Sequence, residues 1–288
     1  FSKKNGNMAI CKEGFIMNGF ISTPKSTTSV SEVFESRCLI WPLIRRDFFV
    51  RYKQTSLGIL WAIINPVVNL MLFLFVFGML VKVPTPEYTA PFSAVLVVGI
   101  LFWNLFSSSM NAASDSLVNN VGLIKKVYFP RISLSISSVF VSLIDFTIAL
   151  LFFIPCLLYI GVDINFRHFY VLLPCIFFVL LLGWGMGCFM AILKIKFKYF
   201  RHILPLLTQT LFYASPSVYT MSIIPEKFLF IYQLNPMSGL IAMARWVFLG
   251  GDFPDTYFLV YSVSIAAVIA VLGSIYFILH ERKVVDLE

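Results

Sequence analysis

Long runs without a single charged residue or histidine constrain this chain more than any other feature. Six of them cover residues 54–81, 88–114, 169–193, 203–225, 228–244 and 256–279, and a seventh, 132–162, is broken only by Asp145. A helix needs ~20 residues to cross the hydrocarbon core, so all but 228–244 are long enough. The chain is 59% hydrophobic and 12% charged, whereas soluble proteins have ~25% charged residues. The sequence therefore predicts an all-α integral membrane protein with six transmembrane helices, at about 57–81, 90–114, 132–160, 169–193, 203–221 and 256–280.

The distribution of basic residues predicts the orientation. With six spans and both termini cytoplasmic, only Lys82, Arg167, Lys227 and Arg245 of the 22 lysines and arginines fall outside. If 228–244 also crossed, the basic C-terminal end would lie outside, against the positive-inside bias. The net charge of +8 is scattered over short loops, which favours anionic lipid headgroups as partners and not nucleic acid.

Two segments flank the predicted spans at the N-terminus, and a short tail follows them. Residues 1–32 are polar and predicted to be a flexible cytoplasmic N-terminus, and 283–288 form a cytoplasmic tail. Residues 33–53 mix aromatic and basic side chains. Apolar residues recur there every three or four positions, at Phe34, Cys38, Trp41, Ile44, Phe48 and Tyr52. This spacing predicts an amphipathic helix in the plane of the membrane surface.

The segment after the fifth predicted span is apolar but broken. Pro225, Pro236 and Gly250-Gly251 divide it into two short helices within 226–249. Apolar helices too short to cross a bilayer are typical of re-entrant segments, and these need protein or a cavity around them. The sequence predicts a pair of gate helices at the outer mouth of a path.

A polar island separates the second and third predicted spans. Residues 117–131 are longer than a plain connection needs, and their basic and apolar side chains alternate. As a helix, this segment would dock a cytoplasmic partner; as an ordinary loop, it would only be held inside by its charge. The residues assigned to partner coupling are Leu123, Ile124, Lys125, Lys126, Tyr128, Phe129, Pro130 and Arg131.

No catalytic or metal-binding motif is found. The sequence has no Gly-Lys dipeptide and hence no P-loop, and its five cysteines and three histidines lack metal-ligand spacing. Asp145 is the one acid within a predicted span. It is either a functional intramembrane acid or a structural one, with Ser138 and Ser142 on the same helix face. Gly183, Gly185 and Gly187 predict a close contact between helices of the same chain.

Aromatic residues make up 17% of the chain. Most of them suit a lipid-facing surface. Two clusters could instead form a wall on which sugar rings stack, and these comprise Phe102, Trp103, Phe106, Tyr213, Tyr219 and Trp246.

Three strings in this order resemble the membrane-spanning subunit of type-2 ABC polysaccharide exporters, most closely the O-antigen exporters. They are RRDFFVRYKQTSLGILWAIINP at 45–66, GILFWNLFSSSMNAASDSLVNNVGLIKKVYFPR at 99–131 and LNPMSGLIAMAR at 234–245. The resemblance implies an interface helix at 33–53, a transmembrane domain at 54–282, a coupling helix at 117–131 and outer gate helices at 226–249.

The resemblance also implies the function. A homodimer of such permeases would associate with two copies of a cytoplasmic ATPase, which binds ATP and Mg, while this chain carries no cofactor and is not an enzyme. A lipid-linked glycan would cross the bacterial inner membrane through a channel at the dimer interface. Teichoic acid or capsular polysaccharide exporters of the same family are alternatives. A proton-driven flippase using Asp145 and a membrane-embedded glycosyltransferase are rivals from other classes.

Overall fold

The chain is described here by a computed structural model that covers residues 37–53, 57–88, 90–125, 129–164 and 166–281. The flexible N-terminus predicted at 1–32, the start of the interface helix at 33–36 and the tail at 283–288 lie outside these residues. The helices of the described part, in chain order, are α1 (Arg37–Lys53), α2 (Gly58–Leu80), α3 (Phe92–Asp115), α4 (Val121–Ile124), α5 (Ile132–Tyr159), α6 (Phe169–Lys196), α7 (Phe200–Tyr213), α8 (Glu226–Leu234), α9 (Pro236–Leu249) and α10 (Thr256–His280).

Five of the helices are long and apolar enough to cross a membrane. They are α2, α3, α5, α6 with the 3₁₀ turn Phe166–His168 before it, and α10. These five match the first, second, third, fourth and sixth predicted spans. The chain is therefore a multi-pass membrane protein.

The fifth predicted span has different bounds from those expected at 203–221. Helix α7 has 14 residues, Phe200–Tyr213, and rises ~21 Å, whereas the hydrocarbon core is ~30 Å thick. It ends early because Pro216 disfavours a helical conformation at Ser215, the residue before it. Whether this segment crosses the membrane stays a prediction.

Helix α3 forms the centre of the bundle. In its most apolar stretch, 72% of the residues are buried. The corresponding share in α2 is 6%, so α2 lies at the periphery. Helices α5, α6 and α9 surround α3. The chain therefore has a core built around its second span, while its first span is held on the outside.

The predicted close contact at the three glycines of α6 is confirmed. A Cβ on Gly183 would lie 2.9 Å from the carbonyl oxygen of Phe106, and a Cβ on Gly187 would lie 2.7 Å from that of Met110. Both positions face α3. Gly185 faces the opposite way, where its added Cβ would lie 2.5 Å from the Cα of Ala270 in α10. Larger residues would push these helices apart.

The two short helices predicted between 226 and 249 are present as α8 and α9. Asn235 joins them: its side chain accepts a 3.0 Å hydrogen bond from the backbone N–H of Met237, as a helix N-cap does. The same side chain donates to the hydroxyl of Ser215 at 2.7 Å. One amide thus ties the start of α9 to the break after α7.

Candidate functional site

A lateral cleft opens between α2, α3 and α7. Its volume is about 420 Å³, within the range of ligand sites. The lining residues are Asn69, Phe73, Ile100, Trp103, Asn104, Asn111, Pro205, Thr208, Gln209, Phe212 and Tyr213. Amide and aromatic side chains thus meet at one place in an otherwise apolar chain, and we call this feature the lateral cleft.

Aromatic rings form one wall of the lateral cleft. Phe212 lies at the centre, with its ring centroid 5.1 Å from that of Phe73 and 5.5 Å from that of Trp103. The ring centroid of Tyr213 lies 5.3 Å from that of Phe212, and the Tyr213 side chain is half exposed. These spacings are those of attractive aromatic pairs, so the wall is a packed surface and not a set of loose rings.

The predicted sugar-stacking aromatics are spread over three places. Trp103 and Tyr213 line the lateral cleft. Phe102 and Phe106 are fully buried in the core, where Phe102 packs edge-on against Phe146 at 5.4 Å.

The other two aromatics of that set lie away from the cleft lining. Tyr219 donates from its hydroxyl to the carbonyl oxygen of Tyr213, next to the cleft. Trp246 stacks on His168 at 4.3 Å, in a cluster that also contains Phe253. The structure therefore brings two of the six side chains into the cleft and adds Phe73 and Phe212, whose contacts join positions far apart in the sequence.

Amide side chains stand on exposed faces of two helices beside the cleft. Asn65 and Asn69, one turn apart, are exposed on α2, and Gln209 is exposed on α7. None of the three was predicted from the sequence. Their position within uncharged runs could have marked them as candidate polar contacts inside the membrane. Unpaired polar groups are costly against lipid tails. This surface is therefore suited to water, a polar ligand or another protein.

The polar island is helical over only part of the predicted 117–131. A 3₁₀ turn covers Val118–Asn120 and α4 covers Val121–Ile124, after which Lys125 is an exposed turn residue. Lys126 and Tyr128 lie outside the described residues. Leu123, Ile124, Phe129 and Pro130 are partly buried. The guanidinium of Arg131 donates to the backbone carbonyl of Glu281, at the end of α10.

Helix α1 packs on α5 and is joined to the island. Arg46 donates to the side-chain carbonyl of Asn120 at 2.6 Å, and Asp47 holds the same guanidinium at 2.7 Å. Asp47 in turn accepts from the hydroxyl of Ser137 in α5 at 3.2 Å. A chain of polar contacts thus links α5, α1 and the island. We call these four residues the basal network.

A buried lysine fastens the other side of the island. Lys194, near the end of α6, donates to the hydroxyl of Ser114 at 2.8 Å and to the carboxylate of Asp115 at 2.6 Å. Its side chain is 6% exposed, and the carboxylate of Asp115 gives this buried ammonium group an ionic partner. The ends of the second and fourth spans are therefore held together where the island begins.

Asp145 is paired and not free. Arg51 and Tyr52 of α1 both donate to its carboxylate. Burial and the neighbouring carboxylate raise the pKa of Tyr52, so its hydroxyl stays protonated and remains a donor. Neither serine expected to hold Asp145 bonds to it. Ser138 donates to the carbonyl of Leu134 at 2.9 Å, and within the described residues the buried hydroxyl of Ser142 has no hydrogen-bond partner. The structural interpretation of Asp145 is favoured, with partners from another helix.

A buried arginine organises the opposite end of the bundle. Arg245 of α9 is 2% exposed and donates to three backbone carbonyls, those of Val95, Ser217 and Tyr219, at 2.9–3.3 Å. Gly99 lets this segment approach, because a Cβ there would overlap the carbonyl of Ser217. The carbonyls of Ser217 and Tyr219, in the non-helical backbone after α7, therefore accept from one side chain of α9.

These features define a multi-pass membrane protein in which a polar cleft lies along the bundle and polar contacts join the helices at both ends. The family model of the ABC-2 type transporter matches residues 39–249, and the chain belongs to this family.

Curated relatives include three whose names state a transport role. The chain is 28% identical to an O-antigen export system permease protein of Klebsiella pneumoniae, over 76% of this chain and 83% of that protein. The protein of the same name from Myxococcus xanthus is 27% identical, over 78% of this chain and 86% of that protein. The polysialic acid transport protein of Escherichia coli is 21% identical, over 80% of this chain and 89% of that protein.

Proposed function

We propose that this chain is the permease subunit of an ATP-driven exporter that moves a lipid-linked polysaccharide, O-antigen in the first place, across the bacterial inner membrane. Two copies form the channel between them, and two copies of a separate cytoplasmic ATPase bind ATP and Mg. Each chain has six spans with both termini in the cytoplasm. The family supports the transporter assignment, and the O-antigen permeases of two organisms support the substrate class.

The observation that best supports a channel between two copies is the exposed amide surface of α2 and α7. Asn65, Asn69 and Gln209 are exposed, and they lie within runs that contain no charged residue. Lipid tails offer them no hydrogen bond, whereas a second copy and a glycan between the copies offer many. Asn69 and Gln209 also line the lateral cleft, so the exposed amide surface continues into it.

The basal network supplies the mechanical link to the ATPase. In this mechanism the closing ATPase subunits carry the island with them, through the side chains from Leu123 to Arg131. Because Asn120 is bound to Arg46 of α1, the interface helix moves with the island. Helices α2 and α7 then reorient, and the path between the copies opens.

Helices α8 and α9 act as the outer gate. They are linked to the break after α7 by Asn235 at one end and by Arg245 at the other. A movement of α7 is therefore transmitted to both helices.

A capsular polysaccharide is the second candidate cargo, since a polysialic acid transport protein is among the relatives. The same coupling serves both cargoes, and the two candidates differ in the glycan that the channel must bind.

The first experiment is purification of the tagged chain from its native membranes in detergent, followed by an ATPase assay and a mass measurement of the complex. We expect a stoichiometric partner that hydrolyses ATP, in a complex of two chains of each kind. A lone chain without ATPase activity would contradict the proposal.

The coupling is tested in cells that depend on this chain for surface polysaccharide. The double variant Tyr128→Ala with Phe129→Ala is expected to keep the complex and its ATP hydrolysis but to lose export. The control is Phe177→Ala, which removes an exposed phenylalanine from α6, far from the island in sequence. Normal export by the double variant would count against the island as the docking segment.

A further inference from the structure

The lateral cleft is lined only by uncharged side chains. None of its eleven lining residues is a lysine, arginine, histidine, aspartate or glutamate, although the whole chain has 22 basic residues. Pores for anions are built from rings of arginine or lysine. An anionic ligand that loses water on entering this cleft gains no positive partner from its lining, which is costly.

The polar groups of the cleft suit hydroxyl groups. Three helices contribute amides: Asn69 from α2, Asn104 and Asn111 from α3, and Gln209 from α7. A primary amide presents both a carbonyl acceptor and two N–H donors, and a sugar hydroxyl likewise donates and accepts. Amides on several sides can therefore bind a ring that carries hydroxyls around its edge.

Most of these amides are available. Asn111 already donates to the carbonyl of Ser107 in its own helix, at 2.8 Å. Within the described part of the chain, the side-chain amides of Asn69, Asn104 and Gln209 have no hydrogen-bond partner. Sites that bind a small polar ligand typically hold a few such polar groups on an apolar wall. Here Phe73, Trp103 and Phe212 form that wall.

We infer that the lateral cleft binds an uncharged stretch of glycan, and that the cargo of this chain is a neutral polysaccharide and not a polyanion such as polysialic acid. The inference rests on the proposed function and names its substrate class. Amides bind the hydroxyl edges of the sugar rings, and the aromatic wall packs against their C–H faces.

The test uses two soluble probes of equal length, a linear mannose oligosaccharide and a galacturonic acid oligosaccharide, with the full chain purified in detergent. The neutral probe is expected to bind, with an affinity that does not change between low and high salt, because no charge pair is involved. The acidic probe is expected not to bind. Equal or tighter binding of the acidic probe would overturn the inference, and so would binding of neither.

Variants locate the binding in the cleft. Gln209→Ala and Asn104→Ala are each expected to weaken binding of the neutral probe roughly fivefold, as the loss of one hydrogen bond does. The control Gln233→Ala, in α8 and outside the cleft lining, is expected to leave it unchanged. Gln209→Lys places a cation in the cleft and is expected to create binding of the acidic probe at low salt. Unchanged binding in both alanine variants would place the site elsewhere and overturn the inference.

These outcomes are separate from those of the proposed function. If the purified complex hydrolyses ATP and its cells export polysaccharide while the cleft binds only the acidic probe, the exporter stands and the neutral cargo fails. If no ATPase partner is found, the exporter itself fails, whatever the cleft binds.

Discussion

Arg51 in α1 donates to the carboxylate of Asp145 in α5, 94 positions further along the chain. This contact, together with the hydroxyl of Tyr52, joins α1 to α5. It also gives the acid within a span a partner that neutralises it. The proton-driven flippase would need this carboxylate to gain and lose a proton during transport, so the exporter and the flippase predict different effects of variants at Asp145.

The Asp145–Arg51 pair leads to the first prediction. Asp145→Asn keeps an acceptor for Arg51 and Tyr52, so export is expected to continue, at a reduced level. Asp145→Leu leaves the arginine without a partner and is expected to lower the free energy of unfolding by about 1–2 kcal/mol. This is less than the ~3–5 kcal/mol of a fully buried pair, because the Arg51 side chain is 41% exposed.

The measurement is thermal unfolding in detergent together with surface polysaccharide in cells. The double variant Arg51→Met with Asp145→Leu removes both charges and serves as the control, with stability expected to recover in part. If Asp145→Asn abolishes export and a protonophore has the same effect while ATP is maintained, the flippase is favoured instead.

The second prediction concerns Arg46 and Asn120. If this hydrogen bond carries movement from the island to α1, each of Arg46→Ala and Asn120→Ala lowers the amount of glycan exported per ATP hydrolysed. The double variant is expected to do no more damage than either single one, because all three lack the same bond.

Arg45→Ala is the matched control for this pair. Arg45 is the preceding residue on α1, but it is exposed and lies over the ring of Phe49 at 5.7 Å. Its loss is expected to leave the export ratio unchanged. Additive losses in the Arg46 and Asn120 variants would mean that the two residues act separately.

The sequence was sufficient for most of the long helices but for few of the contacts between them. Uncharged runs gave five of the spans and the two short helices, because hydropathy and proline positions are local properties. The partners of Asp145 could not be found in this way, since they come from a helix more than ninety positions away. Ser138 and Ser142 were the candidates within the same helix, but Ser138 donates to a carbonyl of that helix and, in the described part of the chain, the Ser142 hydroxyl has no partner.

The aromatic clusters show the same limit. Phe102, Trp103 and Phe106 lie within five positions of one another, yet only Trp103 reaches the cleft. A helix turns its residues in different directions, and periodicity alone does not say which face meets α7. The sequence predicted Arg245 as an ordinary basic residue on the outer side. Its three acceptors are backbone carbonyls of other segments, and a sequence pattern does not indicate such contacts.

The third prediction concerns Arg245. Arg245→Lys keeps the charge but loses the planar fork that reaches several carbonyls at once. Arg245→Met removes the donors entirely and leaves buried carbonyls unsatisfied, which is expected to cost on the order of 3 kcal/mol. Both variants are expected to expose the segment around residues 214–224 to limited proteolysis. Cleavage is expected to be faster in Arg245→Met than in Arg245→Lys.

Lys227→Met is the control for Arg245, because Lys227 is an exposed basic residue on the neighbouring helix α8. Its cleavage pattern is expected to match that of the wild type. If Arg245→Met is cleaved no faster than this control, the arginine does not hold the segment.

The fourth prediction concerns the fifth crossing, where α7 is shorter than a bilayer is thick. Single cysteines replace Lys198 before α7, Glu226 after it and Asp163 between α5 and α6, three exposed positions, in a chain whose own five cysteines are changed to serine. A membrane-impermeant maleimide applied to spheroplasts is expected to label positions 163 and 226. Position 198 is expected to react only after the membrane is opened.

This labelling pattern would mean that residues 200–225 cross the membrane, although only 14 of them form α7. The crossing is physically possible because the non-helical backbone after α7 is packed inside the protein and its carbonyls accept from Arg245. Equal labelling of positions 198 and 226 from the same side would leave five crossings. The two chain termini would then lie on opposite sides of the membrane, and the island would lose its place beside a cytoplasmic ATPase if the N-terminus were the one outside.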